Sequence, residues 1–218
     1  MVEVHPVHRH LKVTYASVYE GIDLMSAHAP YVLAYLDRLR GVINTALQAH
    51  AKIFAVRVDL RLPASYAGQA AYDNRVIEDF IKSLKSRVHA ERKRRMQYCS
   101  SVASCPVRYV WAREQVTAAQ PHYHLLLVFN GNFYQSLGDY DLSVDNLASF
   151  IVKSWATALG RELDVALPLV HWPSNCAYKT DRHDWLSTAA LLARASYLCK
   201  MQTKVLDDGM HSFGASRV

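Results

Sequence analysis

The sequence predicts an α+β fold built on an antiparallel sheet. Residues 52–62 alternate, with Phe54, Val56, Val58, Leu60 and Leu62 on one side and Arg57, Asp59 and Arg61 on the other. Residues 106–115 and 122–130 read as two more strands, joined by a connection short enough for a hairpin. Helical-period stripes separate the strands, without the glycine-rich phosphate loop of a dinucleotide-binding fold. About five strands flanked by helices are expected.

Taken in order, residues 1–51 read as a polar tail and a helical extension. Val32, Leu36, Leu39, Ile43, Ala46 and Leu47 recur at helical spacing over 30–50. The strand over 52–62 follows, stopped by Pro63. After a Ser/Gly-containing connection, Asp73 or Asn74 is expected to cap a helix with Val76, Ile77, Phe80, Leu84 and Val88 on one stripe. The two hairpin strands come next, then a loop over 131–139 that carries Phe133 and Tyr134, which could stack on bases or pack. Ser143 is expected to cap a helix bearing Leu147, Phe150, Ile151, Trp155 and Leu159, ended by Gly160. A short strand over 166–171 and a long helix over 184–203 complete an expected domain of residues 52–204. Residues 205–218 read as a frayed tail.

At 218 residues the chain is long enough for one domain with a real core. Hydrophobic content is 51%, yet no apolar stretch approaches the roughly 20 residues that span a bilayer. The His-rich amino terminus lacks the apolar core of a secretory signal, so a soluble cytoplasmic protein with no membrane partner is expected. Cys99, Cys105, Cys176 and Cys199 form no CxxC pair and read as reduced thiols. The net charge of +6 favours a polyanionic partner. Much of that charge lies in Lys82, Lys85, Arg87, Arg92, Lys93, Arg94 and Arg95, either a solvated helix face or a phosphate-contacting one.

Chemistry concentrates at His122-Tyr123-His124. One intervening residue on a strand aims both imidazoles at one face, while Tyr123, Leu125, Leu127 and Phe129 line the other. With 11 histidines in the chain, composition alone predicts roughly half of one His-x-His pair. His8-Arg9-His10, in a polar tail with no apolar run after it, reads as that chance pair. A hairpin register opposing Glu114 to His122 or His124 brings a carboxylate to the same face. Two nitrogens and an oxygen on a rigid hairpin leave coordination positions open, as in a catalytic metal site. Mg2+ or Mn2+ suits phosphate chemistry, although imidazole also accepts Zn2+, Ni2+ or Co2+.

Tyr197 and Lys200 are separated by one helical turn, continued by Lys204 and preceded by Arg194. A free phenol, with a pKa of about 10, is phenolate in only about one molecule per thousand at neutral pH. A neighbouring ammonium stabilises the charge that develops when the phenol attacks.

An alternating strand, a strand carboxylate, a His-hydrophobic-His strand and then Tyr-x-x-Lys, in that order, resemble the HUH endonuclease superfamily. The likeness is to single-tyrosine rolling-circle replication initiators. Residues 54–63, Glu114, 121–130 and 195–204 most resemble the inovirus (filamentous phage) gene II replication proteins and their prophage-encoded relatives. The resemblance spans residues 52–204 and implies an RRM-like sheet with metal and tyrosine on one face. It implies Glu114, His122 and His124 as ligands of Mg2+ or Mn2+, Tyr197 as nucleophile and Lys200 as its helper. The implied reaction nicks and rejoins single-stranded DNA through a 5′-phosphotyrosyl intermediate. Its partner would be a single strand or a DNA hairpin at a replication origin. The candidate strand contacts come from the residue pattern instead: Arg57 and Arg61 on the polar side of the first strand, Arg108 in parity with Glu114, and Lys204 beyond Lys200. No helicase module follows Tyr197, so a host helicase is expected to unwind. Asp59 falls in the first-strand motif without an assigned role.

Two relatives share the chemistry. A single-tyrosine transposase would use the same residues, and a relaxase would place its tyrosine upstream, at Tyr15 or Tyr19. Outside catalysis, an RRM-like nucleic-acid-binding regulator is the alternative.

Overall fold

The computed structural model describes residues 2–65, 73–115, 120–204, 206 and 208–217. Ahead of the first long alternating strand, short pieces form that periodicity does not reveal. β1 (Val2–Val4), β2 (Lys12–Thr14) and β5 (Tyr31–Val32) make a three-stranded sheet, and β3 (Val18–Tyr19) pairs with β4 (Ile22–Asp23) as a hairpin. The expected helix follows as α1 (Leu33–Ala49), burying Leu36, Leu39, Val42, Ile43, Ala46 and Leu47. Residues 1–51 therefore hold two small sheets besides the helix.

The main unit runs β6 (Lys52–Arg61), α2 (Arg75–Met96), β7 (Arg108–Glu114), β8 (His122–Asn130), α3 (Leu147–Leu159), α4 (Leu163–Ala166), β9 (Val170–His171), β10 (Ala177–Asp181), α5 (Trp185–Ala195) and β11 (Phe213–Ala215). The order β10-β6-β8-β7-β11, with β9 also on β6, makes a six-stranded sheet whose pairs are all antiparallel. β6-α2-β7-β8-α3-β10 is the split-βαβ arrangement of an RRM-like sheet. The fold is thus α+β, with five α-helices among the described residues.

Alternation decides which way each strand faces. Phe54, Val56, Val58 and Leu60 join Tyr123, Leu125, Leu127 and Phe129 under α2 and α3, where Phe80 meets Trp155 edge to face. The opposite side chains, Ile53, Ala55, Val110, Ala112, Leu126 and Val128, pack beneath α1 and α5. Both faces are therefore covered except at the His122 end. α2 lies on the far side of the sheet from His122 and His124, and its basic residues with it. There Arg94 and Arg95 share Glu91, Arg92 donates to the Val102 and Ala103 carbonyls, and Arg95 lies over the Phe133 ring. Phe133 and Tyr134 are buried and pack against each other.

Several expected boundaries move. α3 is capped by Asn146, not Ser143: Asn146 accepts from the Ser149 amide, and Ser149 returns the bond in a capping box. Gly160 ends the helix in the left-handed region, as the sequence suggests. Asn74 stands at the start of α2 but spends its side chain on the His211 carbonyl and Tyr123. The expected strand over 166–171 is mostly α4 and a 3-10 turn, with only Val170 and His171 paired to β6.

The long helix expected over 184–203 stops at Ala195 and tightens into a 3-10 turn, Ser196–Cys199, with Leu198 and Cys199 in the core. Residues 205–218 do not simply fray. Phe213–Ala215 pairs with β7, Gly214 lies against the Trp111 ring, and buried Arg113 pairs with Asp208 at 2.5 Å. The connection over 116–121, read as a hairpin loop, falls largely outside the described residues. All four cysteines are free, and no helix among the described residues is long and apolar enough to cross a membrane.

Candidate active site

The register of β7 on β8 opposes Glu114 to His122 and Ala112 to His124, while β6 opposes Asp59 to His124 and Arg61 to His122. Strand parity then projects Glu114, His122, His124 and Asp59 from one face. Glu114, His122 and His124 each offer a ligand atom within 4.8 Å of the others. The two Nε2 atoms stand 3.0 Å apart, and His124 Nε2 lies 3.4 Å from Glu114 Oε2.

Asp59 fixes the ring of His124, accepting from its Nδ1 at 2.6 Å. In the neutral tautomer His124 then keeps its Nε2 lone pair turned towards His122 and Glu114. Three electron-rich atoms converge on one point, which a shared proton or a cation relieves. Ligands about 2.1 Å from an octahedral ion stand about 3 Å apart, the spacing seen between the imidazoles. The donor set therefore fits a divalent cation.

Glu114 is not free, however. It is 1% exposed and accepts from Thr203 Oγ1 at 2.7 Å, from Lys200 Nζ at 2.9 Å and from Lys204 Nζ at 2.7 Å. Burial alone would raise its pKa. The bond from His124 and the Lys204 charge outweigh that and hold the carboxyl well below the usual carboxylate range. Asp59 behaves alike: burial pushes it up, and His124 and Arg57 bring it lower still. Burial lowers the His122 pKa, as does neighbouring His124.

Tyr197 reaches the cluster from the 3-10 turn. Its ring meets the His124 ring edge to face at 5.2 Å, and Lys200 Nζ donates to the phenol oxygen at 2.7 Å. Lys200 thus links the phenol to Glu114. The i,i+3 contact expected on a helix survives on a tighter turn.

The four residues expected to contact a strand divide. Arg61 is exposed at the His122 end. Arg57 is 4% exposed, its guanidinium bound to the Leu125 carbonyl and Asp59. Lys204, whose side chain is fully covered, serves Glu114 instead of a surface. Arg108 shares the site's face but sits six residues before Glu114, about 20 Å along the strand.

A cavity of about 450 Å³ opens beside the cluster, lined by Asp59, Arg61, His122, His124 and His171 among others. His171 Nδ1 lies 3.5 Å from Asp59. Its place, like that of Thr203 and of His28, whose ring stands 4.9 Å from Tyr197, comes from long-range packing and has no local signature. Of the two upstream tyrosines, Tyr15 is exposed and Tyr19 is bonded to Asp37.

Two curated relatives cover nearly the same length. YagK and YfjJ of Escherichia coli strain K12, both described as uncharacterized proteins, are each 32% identical to this chain. The YagK match covers 88% of this chain and 96% of YagK, and the YfjJ match 88% and 98%. No solved structure matches. The family model of the YagK/YfjJ C-terminal domain matches residues 14–216, a span that takes in α1, the candidate site and β11 but leaves out β1 and most of β2, and the chain belongs to the YagK/YfjJ C-terminal domain family.

Proposed function

We propose that the protein is an HUH-type endonuclease that nicks and rejoins single-stranded DNA, starting rolling-circle replication of a phage or prophage-like element. One observation carries this reading. Lys200 bonds at once to the Tyr197 phenol and to Glu114, which joins a nucleophile to a Glu/His/His cluster across more than 80 residues of chain.

Glu114, His122 and His124 would hold Mg2+ or Mn2+, which when bound neutralises charge on the scissile phosphate. Asp59 keeps His124 turned to the cluster. Tyr197 attacks phosphorus through its phenol oxygen: the oxygen–phosphorus bond forms and the phosphorus–O3′ bond breaks. The phenol loses its proton, and the departing 3′ oxygen gains one. Lys200, 2.7 Å from the phenol oxygen, favours phenolate as the proton leaves. The products are a 5′-phosphotyrosyl linkage and a free 3′-hydroxyl. Reversal rejoins the strand without ATP, because the ester is kept.

The test is one gel. Protein, end-labelled single-stranded DNA and Mn2+ should give a shifted band that survives SDS, lost in Tyr197→Phe and on chelation. Covalent adduct from Tyr197→Phe would refute the assignment.

A non-catalytic nucleic-acid-binding regulator is the second reading, favoured by the two lysines already seated on Glu114. It requires DNA retention without a covalent band in the same gel.

A further inference from the structure

Tyr197 is held from a direction that the sheet does not supply. Residues 25–32 run past the turn that carries it, as a strap. Met201 donates its amide to the Pro30 carbonyl at 2.7 Å, and Gln202 Nε2 donates to the Ala29 carbonyl at 2.7 Å. Tyr31 and Lys200 are bridge partners, and the Tyr31 hydroxyl donates to the Met25 carbonyl at 2.6 Å. Tyr31 itself has no exposed surface, so the strap is anchored in the core.

What the strap delivers is a ring. The 3-10 turn Ser26–His28 sets His28 edge-on to Tyr197, with centroids 4.9 Å apart and planes at 87°. His124 makes a matching contact at 5.2 Å and 86°, and Lys200 approaches to 3.9 Å from the ring centroid. A half-buried tyrosine has more than one staggered side-chain position open to it. The one adopted here is the one that these three groups touch. Burial and then the Lys200 charge lower the His28 pKa, which favours the uncharged ring at this position.

We infer that His28 is a positioning residue for Tyr197, holding the phenol beside His124 and Lys200, so that residues 25–32 complete the candidate site. Its effect on strand cleavage rests on the function proposed above. The ring contact stands independently.

The experiment uses the full chain with 13C-labelled tyrosine rings, the Tyr197 signal being assigned with Tyr197→Phe. In His28→Ala the Tyr197 signal should move. Adduct formation on a labelled oligonucleotide with Mn2+ should slow on the order of tenfold, while oligonucleotide binding stays within about twofold. His28→Phe keeps a ring edge and should restore both signal and rate. If the alanine variant fails to fold, His28→Gln carries the same test. An unmoved signal on loss of the ring, or a phenylalanine variant that behaves like alanine, overturns the inference. A wild-type protein that forms no adduct sinks the nickase reading instead, and the signal alone still decides His28.

Discussion

Asp59 and His124 face each other across neighbouring strands and share a hydrogen bond of 2.6 Å. The carboxylate holds one ring nitrogen and thereby aims the other at Glu114 and His122. Asp59→Asn removes that charge while keeping the size. The affinity for Mn2+ should fall by about 10- to 100-fold, as for other residues that orient a liganding histidine. Titration calorimetry reads this, with circular dichroism to show that the fold persists. Unchanged affinity would mean that His124 orients itself.

Lys204 is the buried counter-charge of Glu114. Lys204→Met leaves Lys200 and Thr203 on the carboxylate but removes one ammonium, which should destabilise the metal-free protein by about 1–3 kcal/mol. Mn2+ should replace the lost charge. The melting-temperature deficit measured in EDTA should therefore shrink on adding Mn2+, and a deficit that ignores the cation would argue against a metal at Glu114.

Glu91 gives a pH signature far from the site. Burial pushes its pKa up, but the bonds from Arg94 and Arg95 outweigh that and leave it below the ordinary carboxylate value. A carboxyl depressed in the folded state adds stability above its unfolded pKa of about 4.3, and loses it as pH falls through the folded value. Glu91→Gln should therefore be less stable than wild type at pH 7. The difference should narrow as pH falls below about 4.3 and through the lower folded value, as followed by urea denaturation.

Gly214 allows β11 to lie against Trp111. A Cβ there would meet the ring at 2.4 Å. Gly214→Ala should cost about 1–3 kcal/mol and shift the tryptophan fluorescence. A variant as stable as wild type would show that the carboxy-terminal strand is dispensable to the sheet.

Much of this frame was legible from local pattern. Alternation in residues 52–62 and the parity of Glu114, His122 and His124 express a period of two, which the strand register preserves. Elements whose residues are mostly exposed, or that run for only two or three positions, carry no such period. Phe213–Ala215 and the small amino-terminal strands are of that kind, and Ala177–Asp181 buries only Thr180 of its five residues, too little to mark a face. The end of the last helix leaves no local mark, because Leu198 and Cys199 reach the core from a 3-10 turn as they would from a helical stripe. Arg57 and Lys204 look like surface cations in sequence. The Leu125 carbonyl that holds Arg57 and the Glu114 carboxylate that holds Lys204 lie 68 and 90 residues away, beyond the reach of any local signal.

The basic stripe of α2 and the phenol of Tyr197 occupy opposite sides of one sheet. A polyanion that touched both could not take a straight course across the molecule. It would have to turn around the rim, past β11 on one flank or β10 on the other, so its bend would be dictated by the width of the sheet.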